Sequence, residues 1–415
     1  MDKKVSKVRI VLIAVLVILA GSWMFFRFAD PVYKNAVIKE VSTWPVVRKI
    51  IAMTVQDDYE KSIMDDKFDE NNVSVDEHVA KKLTGYTNIA LFGLDSRDSQ
   101  MDIGTHSDSI MVVSINNDTN AVRIASVYRD TMLKVTDQEG NVSYTKANQG
   151  FFRGGAEGAV SMLNTNLDLN ITDYAIINFS GLTEIIDSLG GLDIEITKEE
   201  QKYINFYLIE TRKITGMKCE DVTGYGKVHL NGLQATSYCR IRYTAFYDEE
   251  GNKYSDDLGR TARQRFIISK IVEKIKKAGV SETLSLARDI MNKNAEGEHP
   301  FIKCSLGYEE IMDLIPVLID YKIEDATGFP FTLDTPTIHG ASMVVAQGLS
   351  YNVQQLHRFL FDEEDYEVSY QVQEISDYIA DYTGIGEVRL PEEEPTEEST
   401  VESSSEMDSA EQDSD

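Results

Sequence analysis

The chain has 415 residues, with 41 Lys and Arg against 69 Asp and Glu, a formal net charge of −28. So acidic a body is a poor partner for DNA, whose binding depends on neutralising phosphates with basic side chains, so no nucleic acid is expected. The length suits one large domain with flanking segments. Cys219, Cys239 and Cys304 show no C-x-x-C spacing, which argues against a disulfide scaffold or a zinc site.

Residues 1–9 include Lys3, Lys4, Lys7 and Arg9, and an uncharged apolar run follows from Ile10 to Phe26. The run approaches the roughly twenty apolar residues that cross a bilayer, so a transmembrane helix is expected over residues 10–28. Basic residues before it place residues 1–9 in the cytoplasm and the body outside the cell, on a single-pass anchor in the cell membrane. A cleaved signal peptide is the rival reading, with Ala20-Gly21-Ser22 as its small residues. Against it, Trp23, Met24, Phe25 and Phe26 prolong the apolar run. Residues 29–84, broken by Pro31 and Pro45, read as a helical stalk or accessory segment.

The main domain is expected over residues 85–365. Asn88–Leu94, Ser109–Ile115 and Ala121–Tyr128 are short apolar runs of strand type. The polar cluster Asn116–Asn120 between the last two is a turn signal, so those two form a hairpin. Gly154–Asn166 reads as a helix, Tyr174–Phe179 as a strand, Leu182–Leu189 as a helix and Leu192–Ile196 as a strand. Lys198–Gly226 is polar and weakly periodic, and the pattern assigns it no element. Asn231–Cys239 reads as a helix leading into Arg240-Ile241-Arg242, which reads as a strand with both arginines on one face. An amphipathic helix with Phe266, Ile267, Ile271, Val272 and Ile275 on its apolar face follows the polar loop Phe246–Asp257. Further helices are expected at Glu282–Lys293 and Tyr308–Ile319, with short strands at Phe329–Leu333 and Met343–Ala346. Interleaved strands and helices define an α/β class with at least one antiparallel pair. Residues 366–390 read as a C-terminal extension. Residues 391–415 hold eleven acidic and no basic side chains, a composition that leaves a segment disordered.

Arginines and aspartates punctuate the ends of the apolar runs. Asp95 and Arg97 follow the first strand, Asp108 precedes the second, and Arg129-Asp130 leaves the third. With the last two strands in a hairpin, these positions converge on one sheet edge, the usual place for a site in α/β folds. Arg260, Arg263 and Gln264 lie at i, i+3 and i+4 near a helix start and so share a face. Isolated ion pairs at strand ends are common and contribute little, but the whole set, with Arg240 and Arg242, outweighs that reading. Guanidinium groups grip phosphate oxygens through paired hydrogen bonds, and carboxylates beside them tolerate a phosphate when a divalent cation lies between. The combination reads as a metal-assisted phosphate site.

At these same residues the chain resembles the LytR–CpsA–Psr family of Gram-positive cell-envelope proteins. The likeness lies in NIALFGLDSRD (residues 88–98), SDSIMVVSI (107–115), VYRDT (127–131) and DYAIINFSGLTEIIDSLGGLD (173–193). HLNGLQA (229–235), YCRIR (238–242) and GRTARQ (259–264) continue it in order. The resemblance implies a central mixed β-sheet flanked by helices in three layers. It also implies a membrane-anchored phosphotransferase that moves a glycopolymer, such as a wall teichoic acid or capsular polysaccharide, from a polyprenyl-pyrophosphate carrier to peptidoglycan. Carried over by motif, Asp95 and Asp108 would hold Mg2+, with Mn2+ the alternative. Arg97, Arg129, Arg240, Arg242, Arg260, Arg263 and Gln264 would surround the pyrophosphate. Catalysis would fall to Arg129, Asp130, Arg240 and Arg242, with Asp130 orienting Arg129 or assisting proton transfer. The prenyl chain would occupy an apolar tunnel between sheet and helices. Two departures stand out: His106 where the family often has Arg, and Tyr128 where it usually has proline. The other readings are a membrane-bound transcriptional attenuator and a non-catalytic prenyl-lipid-binding protein.

Overall fold

The computed structural model describes residues 59–65, 67–95, 101–248, 250–296, 300–307, 310–311 and 322–389. The transmembrane helix expected over 10–28, Arg97, the bulk of the helix expected at 308–319, and the acidic tail lie outside the described residues. Among the described residues, no helix is long and apolar enough to cross a membrane.

The chain runs from α1 (Glu77–Lys82) into β1 (Tyr86–Leu94), β2 (Ser107–Asn116) and β3 (Ala121–Val127). A hairpin follows, β4 (Met132–Thr136) with β5 (Val142–Lys146), and then α2 (Asn148–Leu167), β6 (Asp173–Asn178) and α3 (Phe179–Ser188). Next come β7 (Leu192–Ile196), α4 (Lys198–Thr215), β8 (Gly226–Leu230) and α5 (Gly232–Tyr238). The small hairpin β9 (Phe246–Tyr247) and β10 (Lys253–Tyr254) precedes the long α6 (Asp256–Glu296), which breaks its helical path at Gly279. The C-terminal part holds β11 (Ile302–Cys304), β12 (Lys322–Phe329), α7 (Leu349–Phe361) and α8 (Tyr370–Thr383).

Six strands form one sheet in the order β11-β6-β1-β2-β3-β12. β1, β2 and β3 are antiparallel neighbours, while β6 runs parallel to β1 and β12 parallel to β3. The expected hairpin is present, and the sheet is mixed. One sheet face buries Phe92, Ile110, Val112 and Ala125 against α2, α7 and α8, in the largest apolar core. The other face carries Ile89, Met111, Ile115, Val122 and Ile124 with Ile268 of α6 packed against them. That gives three layers, as the resemblance implies. A third cluster, with Ile194, Ile204, Leu208, Leu230, Leu233 and Ile267, joins α4, α5 and the β7–β8 pair to α6.

Several expectations need correction. Lys198–Gly226, to which the pattern assigns no element, does contain one: residues 198–215 form α4, opened by a reciprocal capping box between Thr197 and Glu200 and closed by left-handed Gly216. Residues 240–242 are not a strand; Arg240 ends the turn after α5, and Ile241 and Arg242 follow without regular structure. The packed body is also wider than residues 85–365. Tyr59, Val79 and Leu83 are buried at its start, and Val372, Ile375 and Ile379 of α8 at its end. The C-terminal extension is thus part of the core.

Candidate functional site

The carboxyl ends of β1, β3, β6 and β12 point to one sheet edge, because β6 parallels β1 and β12 parallels β3. β2 starts there. At that end Leu94 pairs with Ser107 and Gly93 with Ser109, so Asp108 is the extra residue of a bulge. Bulges re-aim side chains at sheet rims. Here the bulge places Asp108 beside the end of β1, whose next residue is Asp95, and beside Arg129 beyond β3.

Asp108 is the hub. Arg129 Nη1 lies 2.6 Å from its Oδ1, Arg260 Nη1 3.7 Å and Arg242 Nη2 4.0 Å from its Oδ2. Arg260 Nη2 also donates to the Asp108 carbonyl at 3.1 Å. A second carboxylate, Asp257, takes Arg260 at 3.0 Å, Arg242 at 3.4 Å and Arg129 at 3.7 Å. Three guanidinium groups from three separate stretches therefore share two carboxylates. Asp130 sits 3.8 Å from Arg129 Nε and 2.8 Å from Lys146 Nζ at the end of β5.

Burial pushes the Asp108 carboxyl up, but Arg260, Arg129 and Arg242 outweigh it and hold the group below the usual carboxylate range. Burial likewise pulls Arg129 down, yet Asp108 and Asp257 leave it above its ordinary value. Arg260, 3% exposed, is pulled down to about 10 by burial, with Asp257 opposing and Arg242 and Arg129 adding to the fall. Arg129 and Arg260 remain cations at neutral pH. Arg129 Nε, Arg260 Nε and Gln264 Oε1 are buried without a hydrogen-bond partner among the described residues. Two of these are guanidinium donors, and an unsatisfied guanidinium N–H suits an anionic guest.

Arg240 stands next to this cluster, held by other partners. Its guanidinium donates to Glu210 at 2.8 Å and to the Thr211 hydroxyl at 2.9 Å, and stacks 4.7 Å from the Phe179 ring at the end of β6. The Arg240 guanidinium also lies over the Tyr207 ring of α4 at 5.5 Å; burial raises that phenol's pKa, and Arg242, Arg240 and Arg260 oppose the rise. Arg263 does not join them. It is 0% exposed and donates to Glu200 Oε1 through Nε (3.1 Å) and Nη2 (2.9 Å), and to the carbonyls of Thr244 and Ala245. The shared face expected from its spacing with Arg260 is overridden by a buried acid on α4.

For a divalent cation, the donors at hand are carboxylate oxygens of Asp95 and Asp108 at adjacent strand ends. Among the described residues, no three His, Cys, Asp or Glu side chains gather in metal-ligand geometry. Mg2+ commonly takes one or two carboxylates and completes its shell with phosphate oxygens and water, so this donor set fits an ion bound together with a phosphate substrate.

Sequence reasoning missed Asp257, Lys146, Tyr207 and Glu200. Asp257 carried a signal, since it falls three residues before Arg260 in the first turn of a helix, where acids are favoured. Lys146 carried none, because β4 and β5 are not distinguished by their pattern. The two departures also resolve. His106 sits edge-on to Phe152 at 4.5 Å and 3.1 Å from Gln149 Nε2, and burial lowers its pKa, so it brings no permanent charge. Tyr128 donates its backbone N–H to the Phe329 carbonyl of β12 at 3.0 Å, a bond that a proline cannot make. Its ring fills the space above Gly328, where any Cβ would collide with it.

The fold is that of a three-layer α/β protein with a cluster of arginines and aspartates at its sheet edge. A model of the LytR_cpsA_psr family matches residues 49–318, and the chain belongs to that family. It is 29% identical over 212 residues to the Bacillus cereus (strain AH820) polyisoprenyl-teichoic acid–peptidoglycan teichoic acid transferase TagU, covering 50% of this chain and 58% of that one. It is also 29% identical over 242 residues to biofilm regulatory protein A of Streptococcus mutans serotype c, covering 55% of this chain and 54% of that protein. The chain thus matches little more than half the length of these relatives. The crystal structure of a Streptococcus agalactiae protein, gbs0355, has the same fold at a TM-score of 0.53 and 22% identity, over 75% of this chain and 98% of that one.

Proposed function

We propose that the chain is a membrane-anchored phosphotransferase that moves a glycopolymer from a polyprenyl-pyrophosphate carrier to peptidoglycan. The observation that carries this reading is the trio Arg129, Arg242 and Arg260 drawn together around Asp108 and Asp257 at one end of the sheet. Phosphoryl transfer needs mainly positioning and charge neutralisation, and no covalent nucleophile. Family membership and the teichoic acid transferase name of the Bacillus cereus relative support the same substrate class.

In this reading the three arginines bind the diphosphate oxygens, with Arg240 and Gln264 beside them. Asp108 and Asp257 hold the guanidinium groups in register before substrate arrives. A sugar hydroxyl of peptidoglycan attacks the phosphorus attached to the glycopolymer. A phosphodiester forms, the bond to the leaving phosphate breaks, and polyprenyl phosphate departs. Asp130, beside Arg129 and Lys146, orients Arg129 or accepts the hydroxyl proton. Asp95 and Asp108 are the groups that would hold Mg2+ (or Mn2+), which when bound adds positive charge against the diphosphate. The prenyl chain would lie along the sheet face under α6, where Leu91, Val113, Ala175 and Ile268 are only half-buried. The anchor at residues 10–28 would keep the body on the outer face of the cell membrane.

The test is incubation of the full chain in detergent with a polyprenyl-pyrophosphate saccharide, peptidoglycan fragments and Mg2+, read by product mass. A peptidoglycan–phosphate–saccharide adduct is expected, lost in a folded Arg129→Ala, Arg240→Ala double variant. Undiminished product from that variant would reject the assignment.

A further inference from the structure

The outer face of α4 is apolar where a surface helix is normally polar. Lys202, Phe206, Ile209 and Lys213 fall at i, i+4, i+7 and i+11, one stripe along the helix. Phe206 is 60% and Ile209 69% exposed, and both lysines are exposed. The opposite stripe, Ile204, Leu208 and Thr211, is the one that packs inward. Neighbouring aromatics widen the patch: Phe206 meets Tyr207 at 5.4 Å, and Tyr203 meets the 66% exposed Tyr243 at 6.0 Å. Tyr207 brings the patch to the arginine site, since the Arg240 guanidinium lies over its ring at 5.5 Å.

We infer that this stripe of α4 docks on an anionic lipid bilayer surface and holds the arginine site at headgroup depth. The inference rests on the phosphotransferase reading, since a diphosphate on a lipid lies at the level of the headgroups. Two large apolar side chains flanked by lysines form the pattern of a helix lying in a membrane interface, the lysine stems reaching up to anionic headgroups. Charge singles out this face. The chain carries a net charge of −28, which an anionic surface repels. On α4, Glu200 and Glu210 are taken by Arg263 and Arg240, leaving Glu199 as the other acid beside Lys198, Lys202 and Lys213.

The test uses the full chain in vesicles of phosphatidylglycerol and phosphatidylcholine, with an environment-sensitive fluorophore on Phe206→Cys in a Cys219→Ser background. Cys239 and Cys304 are buried and do not compete for label. A matching label on Tyr370→Cys of α8, packed on the opposite side of the sheet and 85% exposed, is the control. Quenching by acyl-chain doxyl lipid should be at least about twofold stronger at position 206, and weaker in vesicles of phosphatidylcholine alone. Equal quenching at the two positions overturns the proposal. So does energy transfer between donor- and acceptor-labelled 206 sites, which would show that a second copy covers the patch. As a second arm, a Phe206→Glu, Ile209→Glu variant should lose transfer from a membrane-resident carrier several-fold, while keeping turnover of a short-chain, water-soluble analogue. Equal loss on both substrates, or on neither, counts against docking. If the unmodified chain turns over neither substrate, the phosphotransferase reading fails, and quenching alone then decides the docking.

Discussion

Arg260 and Arg263 lie one turn apart on α6 and serve opposite ends. Arg263 is enclosed by Glu200, two backbone carbonyls and the rings of Tyr238 and Phe246. Its donors are matched by acceptors, so it binds α6 to α4. Arg260 is almost as deeply buried, but it shares Asp108 and Asp257 with two other guanidinium groups, and its Nε has no hydrogen-bond partner among the described residues. Depth of burial therefore does not distinguish the surroundings of these two arginines. The ratio of donors to acceptors around each does.

The sharpest way to break this comparison is to remove each arginine and read stability and transfer separately. Arg263→Ala should cost about 3–5 kcal/mol of stability in urea unfolding, because it strands a buried Glu200 charge. A loss under about 1 kcal/mol, the scale of an exposed pair, would mean the Arg263 pair is not structural. Arg242→Ala should do the reverse: a fall in transfer of about 10²–10³-fold, the usual effect of losing one oxyanion donor. Its unfolding midpoint should barely move, since its side chain is 33% exposed and its carboxylates keep Arg129 and Arg260.

Acid titration sharpens the same contrast. Asp108 has a depressed pKa in the folded chain. Its contribution is complete above the unfolded value of about 4 and is lost as pH falls through the lower folded value. The parent protein should therefore lose more stability below about pH 4 than Asp108→Asn does. Parallel acid limbs for the two would remove Asp108 as the hub. The smallest effect expected is Thr197→Ala, which opens the capping box of α4 at a cost of about 1 kcal/mol and leaves transfer unchanged in detergent.

Much of the frame was legible in the residues. The turn cluster at Asn116–Asn120 located the β2–β3 hairpin, and the hairpin brings Asp108 and Arg129 to the same end of the sheet. Other parts were hidden for physical reasons. α4 has a polar, weakly periodic sequence because its outward stripe holds Phe206 and Ile209, which blurs the amphipathic signal; only Thr197, Glu200 and Gly216 marked its ends. β12 begins with the polar residues Lys322, Glu324 and Asp325, as an edge strand can, so its pattern became strand-like only near Phe329.

By itself, the sequence determined the sheet's central hairpin, the acidic character of the body and which arginines stand near strand and helix ends. These follow from local turn chemistry, charge and apolar spacing, each readable within a few residues. Only the tertiary structure decided that Asp257 and Lys146 complete the site and that Arg263 belongs to the core. A guanidinium has no preferred carboxylate until the chain brings one within reach, and here Glu200, sixty-three positions before Arg263, arrived first.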